Sequence, residues 1–163
     1  MGVSFLNDVT GSRSIQRDIA TGKWDVVVLQ GAKISSSHKY TYSQEGAIGA
    51  GTWARAAGSR VLYFAEWPRK GWDETEYILG VYKAIAAKVP GSEIVAIGRT
   101  WDEFLKDSPK LDLWAGDGNH SSAIGAYVAS CCIARAIAPK SALSWHPPQI
   151  DPQTARRILA RVK

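Results

Sequence analysis

The sequence predicts a single α/β domain of three layers (α/β/α), with helices on both faces of a mostly parallel sheet. Three observations carry this expectation. Short apolar runs at 26–29, 60–65 and 93–97 lack the alternation of a half-exposed strand, as strands buried on both faces do. Helical segments separate and follow them, and that order implies right-handed crossovers between parallel strands. A chain of 163 residues, 45% apolar and 21% charged, has the length for one ordinary core and little more.

In chain order, residues 12–22 read as a short helix stopped by Gly22. Val26-Val27-Val28-Leu29 is a continuous β-branched run and the first buried strand; the polar stretch 32–42, with Ser35, Ser36 and Ser37 together, is a loop. Residues 43–58 read as helical in spite of glycines that lower helix propensity. Arg60 to Ala65 is the second buried strand, ended by Glu66-Trp67-Pro68, since proline cannot extend the ladder. The clearest helix spans 73–89, where Tyr77, Ile78, Val81, Tyr82, Ile85 and Val89 recur at helical spacing before Pro90-Gly91 ends it. Glu93 to Ile97 is the third strand, Trp101 to Leu105 one helical turn, and Leu111 to Trp114 a short extended piece. Ser121 to Ala138 is a helix that turns Ile124, Tyr127, Val128, Cys131, Cys132 and Ile137 inward. Residues 139–150, with three prolines, form a connector to a last helix that opens with Asp151 as cap and Pro152 as first residue. The expected organisation is thus a body over 1–138 and a connector with a basic C-terminal helix over 139–163.

Charge narrows the function classes. The formal net charge is +5, yet residues 1–134 balance 14 basic against 14 acidic side chains, and the surplus sits in the last 29 residues. A neutral body does not have the balance of a polyanion binder, so no nucleic-acid partner is expected. No apolar run nears the roughly 20 residues of a membrane span, and no charged leader precedes an apolar block, so the cytoplasm is the default expectation. Cys131 and Cys132 are neighbours in a helical segment and point about 100° apart, which disfavours a mutual disulfide. With no Cys-x-x-Cys and three scattered histidines, neither a metal site nor a cofactor is expected.

Ligands of parallel sheets sit beyond the carboxyl ends of the strands, which puts Gln30–Ser37, Glu66–Trp72, Gly98–Trp101 and the stretch around Asp117 on one rim. The densest polar cluster is Ala115-Gly116-Asp117-Gly118-Asn119-His120-Ser121-Ser122. A carboxylate three residues before a histidine can hold the imidazole in one tautomer, leaving its other nitrogen to take a hydroxyl proton. The same residues also make an ordinary turn in which Asp and Asn bind backbone amides and a serine caps the next helix. Glu66, Trp67 and Arg69 close the second strand, where they can shape a substrate pocket; tryptophan platforms suit sugars and ordinary cores alike.

On these residues the chain resembles the SGNH, or GDSL-like, hydrolase superfamily. Asp117-Gly118-Asn119-His120-Ser121-Ser122, with Gly125-Ala126-Tyr127 behind it, is similar to the family's late Asp-x-x-His block, and Trp24 to Gln30 looks like its central strand. The resemblance spans roughly residues 2–138. It implies an SGNH-hydrolase or flavodoxin-like sandwich and hydrolysis of an acyl ester, of a small molecule or a carbohydrate, without metal or cofactor. Asp117 and His120 would be catalytic. Gly2-Val3-Ser4-Phe5 matches either the serine block, with Ser4 the candidate nucleophile, or, with better spacing, the later glycine block, with Gly2 offering an oxyanion amide and the nucleophile block absent. Gln30 would add an oxyanion donor and Trp67 would shape the substrate pocket. Gln30 stands where the family has an asparagine, and one missing oxyanion donor costs roughly 3–4 kcal/mol of transition-state stabilisation. Only 25 residues precede the strand at 26–29, so the chain is expected to be N-terminally truncated relative to that family. The alternative is a degenerate, non-catalytic copy whose exposed sheet edge a partner chain, such as a second copy, could fill.

Overall fold

The computed structural model describes residues 5–9, 11–140 and 144–162. Among them the chain forms α1 (Leu6–Val9), α2 (Arg13–Thr21), β1 (Val26–Leu29), α3 (Glu45–Ala56), β2 (Arg60–Ala65), α4 (Thr75–Ala86), β3 (Glu93–Ala96), α5 (Ile97–Asp107), α6 (Ala123–Ile137) and α7 (Pro152–Leu159). This is a mixed α/β fold with a small three-stranded sheet in the order β1-β2-β3. Strands β1 and β2 run parallel, with Val26 opposite Arg60 and Leu29 opposite Tyr63.

The chain folds as two compact units. The first contains the described residues up to Ala65 together with Glu76–Ile94, and so holds α1 to α4, β1, β2 and the start of β3. Its core is the middle strand: Val61, Leu62 and Tyr63 are fully buried, and Ile78, Leu79, Tyr82, Ile85 and Val89 bury the apolar face of α4 as the helical spacing requires. Buried Tyr63 donates its hydroxyl proton to the Ala47 carbonyl at 2.9 Å, and Ser59 donates to the Trp24 carbonyl at 2.6 Å.

One expectation fails here for a physical reason. The run Val26–Leu29 was expected to be buried on both faces, but Val28 is 39% exposed and Val26 and Val27 are half-buried. Among the described residues β1 is an outer strand of the sheet, paired with β2 alone, so an apolar run by itself does not guarantee cover on both faces. The helix expected over 43–58 is present as α3, although its glycines count against a helix by propensity. A Cβ on Gly46 would lie 2.3 Å from the Leu6 carbonyl oxygen, so glycine is what lets α1 pack onto α3.

The second unit contains Glu66–Thr75 and the described residues from Val95 onward, and so carries α5, α6 and α7. Ile97, expected to end a strand, instead opens α5, which runs eleven residues rather than one turn. Its buried face of Ile97, Trp101 and Phe104 packs with α6, where Tyr127, Val128, Cys131 and Cys132 are buried as expected. Ile137 is exposed at the last residue of α6, where the helix has run past its cover. Both cysteines are free thiols, and burial pushes both up, Cys132 to about 11. Asp151 caps α7 by accepting from the Gln153 and Thr154 amides at 3.0 and 2.9 Å. Ala155 and Ile158 turn inward, and Arg157 donates to the Asp107 carbonyl at 2.8 Å, tying α7 to the end of α5.

Candidate active site

The Asp117–His120 cluster sits at the tip of a short hairpin in the second unit. Its base is the antiparallel bridge between Trp114 and Ser121, closed by Ser122 N–H to the Leu113 carbonyl at 2.9 Å and Ala115 N–H to the His120 carbonyl at 2.7 Å. Gly118, at φ +69°, turns the tip in the left-handed region that a side chain disfavours. Ser122 then caps α6, accepting from Gly125 N–H at 3.2 Å. The turn and the Asp117–His120 side-chain contact therefore coexist. Asp117 Oδ1 accepts the Asn119 and His120 amides, both at 2.9 Å, while Oδ2 lies 2.5 Å from His120 Nδ1.

These contacts fix the electrostatics. The imidazole contact and the two backbone amides hold the Asp117 carboxyl down at about 2, so it is ionised throughout the neutral range. An ionised acceptor at Nδ1 selects the tautomer that carries its proton there and leaves the Nε2 lone pair as the base. His120 is 77% and Asp117 49% exposed along their side chains, so the pair lies open to solvent.

The 66–75 loop braces the hairpin from its own unit. Trp67 donates its indole N–H to the Asn119 carbonyl at 2.9 Å, and Lys70 donates its amide to the Gly118 carbonyl at 2.8 Å. In return Trp114 donates its indole N–H to the Pro68 carbonyl at 2.7 Å. Lys70 pairs with Asp112, whose carboxyl that contact and the Trp114 amide lower. Behind them, Trp67 stacks on the buried Trp101 at 4.6 Å between ring centres and 3° between planes, and Trp114 meets Trp101 edge-on at 5.2 Å. The loop is itself held by Arg69, which forks onto the buried Glu74 carboxylate and lies 4.3 Å over the Trp72 ring.

Of the residues singled out from sequence, Asp117, His120 and Trp67 come together in this unit. Trp67 uses its polar atom on the hairpin. Gln30 is exposed in the loop after β1, in the first unit, as are Ser35, Ser36 and Ser37; Ser35 is buried with its hydroxyl 3.1 Å from that of Ser37. Gly2 and Ser4 lie outside the described residues. Among the described residues no group of three or more His, Cys, Asp or Glu is placed to hold a metal ion. Sequence reasoning missed Lys70, Asp112, Trp114 and Glu74. Their only local signal is a density of charge and tryptophan on either side of the cluster; Lys70, Asp112 and Trp114 act through pairing across more than 40 residues, and Glu74 through Arg69 five residues before it. No family model matches the chain, and neither a curated protein nor a solved structure matches it.

Proposed function

We propose that the protein is an SGNH-type serine ester hydrolase acting on a small-molecule or carbohydrate ester, on a three-layer α/β/α domain. The observation that supports this reading is the Asp117–His120 pair, with one carboxylate oxygen on Nδ1 and the other held by two backbone amides. In the reaction a serine hydroxyl, Ser4 being the candidate, attacks the ester carbonyl and His120 Nε2 takes its proton. Backbone amides and a side-chain amide receive the charge on the tetrahedral oxygen. His120 then returns the proton to the leaving alcohol, and water repeats the sequence to free the acid from the acyl-serine.

The test is a fluorophosphonate probe on the full chain, with the adduct mapped by mass spectrometry. One stoichiometric serine adduct is expected, absent in His120→Ala. Asp117→Asn should lower the labelling rate and turnover of 4-nitrophenyl acetate by roughly 10²–10⁴-fold through loss of the productive tautomer. An adduct on Ser4 names the nucleophile. A folded chain that takes no adduct overturns the esterase reading in favour of the non-catalytic one.

A further inference from the structure

We propose that a groove beside the Asp117–His120 hairpin is a subsite for an acidic sugar ring. That the ring belongs to the alcohol side of the hydrolysed ester rests on the reading above; the binding itself does not. The groove encloses about 340 Å³ within the second unit, inside the range of small-molecule sites. Leu105, Leu111 and Trp114 supply its apolar wall, and Lys70, Lys110 and Asp112 its charges. Lys70 and Trp114 are also the residues that grip the hairpin, so groove and dyad share a wall.

The lining fits one ligand chemistry. Trp114 is a fixed plate, with its N–H bound to the Pro68 carbonyl and its ring in T-shaped contact with Trp101. A flat indole takes the C–H face of a pyranose. Asp112 accepts from Lys70 and from the Trp114 amide, which leaves acceptor positions on the carboxylate and two donors on the Lys70 ammonium for ring hydroxyls. Exposed Lys110 leaves the lining with one net positive charge, which favours a sugar bearing a carboxylate over a neutral one. A fatty acyl chain would strip water from three charged groups and return nothing to them.

The experiment is a two-dimensional NMR titration of the full chain, following amide and indole signals, with methyl glucuronide and methyl glucoside. The glucuronide should give saturable shifts at Lys70, Lys110 and Trp114 and bind at least about fivefold tighter than the glucoside. Trp114→Ala should weaken it about tenfold. Because that change also touches the hairpin, exposed Lys110→Ala is the second variant, expected to weaken glucuronide about fivefold with its spectrum otherwise unchanged. Absence of saturation, equal affinity for the two glycosides, shifts that map elsewhere, or unchanged affinity in a folded Lys110→Ala overturns the proposal. Fluorophosphonate labelling of the same unsubstituted chain separates the two readings. Intact glucuronide binding by a chain that takes no fluorophosphonate removes the esterase alone, and an active serine without glucuronide binding removes the groove alone.

Discussion

Replacing Gly125 by alanine separates what helix propensity predicts from what the fold imposes. In α6, alanine should gain up to about 1 kcal/mol over glycine. A Cβ at this position, however, would lie 2.1 Å from the Leu113 carbonyl oxygen and 2.7 Å from the nearest ring carbon of Trp101. A relaxed carbon–oxygen contact needs about 3.3 Å, so the carbonyl or the helix must retreat by more than about 1 Å. The carbonyl is not free to do so, because it accepts the Ser122 amide at the base of the dyad hairpin. Trp101 is fully buried, with Trp67 stacked on one side and Trp114 against it. Overpacking of this kind costs about 1–3 kcal/mol and a lost hydrogen bond about 1 kcal/mol, which leaves a net destabilisation of about 1–3 kcal/mol after the propensity gain. Gly80, mid-helix in α4 with nothing within 4 Å of its added Cβ, is the matched control, and there alanine should gain about 0.5–1 kcal/mol. Urea unfolding followed by tryptophan fluorescence and far-ultraviolet circular dichroism reads both. The midpoint should fall by about 1 M in Gly125→Ala and rise by a few tenths of a molar in Gly80→Ala. A Gly125→Ala midpoint at or above wild type would refute the close packing of α6 on the hairpin base.

Two further outcomes follow from the electrostatics. Because the folded chain holds the Asp117 carboxyl at about 2 against an ordinary 3.8, its contribution to stability is complete above pH 4 and is lost as the pH falls toward 2. Urea midpoints at pH 5, 3 and 2 should therefore fall more steeply in wild type than in Asp117→Asn; parallel curves would mean that the carboxylate is not held. Arg69→Leu strands the Glu74 carboxylate, 4% exposed along its side chain, without its guanidinium, and should cost about 3 kcal/mol. Adding Glu74→Gln should recover most of that loss, and a double variant as unstable as the single one would place the cost elsewhere in the 66–75 loop.

The local chain was enough to specify most elements. β1 and β2 lie where the apolar runs 26–29 and 60–65 stand, and Ser122 and Asp151 cap the helices they precede, because strand runs, caps and proline stops act over a few residues. The Asp117–His120 contact was legible for the same reason: its partners are three residues apart, and a turn brings them together whatever surrounds it. What a run is packed against is another matter. Val28 is exposed on a strand that, among the described residues, has one neighbour in the sheet, and that position belongs to strand order and not to the residues Val26–Leu29. Tertiary structure alone decided that Trp67 braces Asn119 from 52 residues away, that Lys70 meets Asp112, and that Gly125 is required by a carbonyl twelve residues earlier. Each of these joins separate segments, and no periodicity or propensity records it, because its energy exists only once the second segment has arrived.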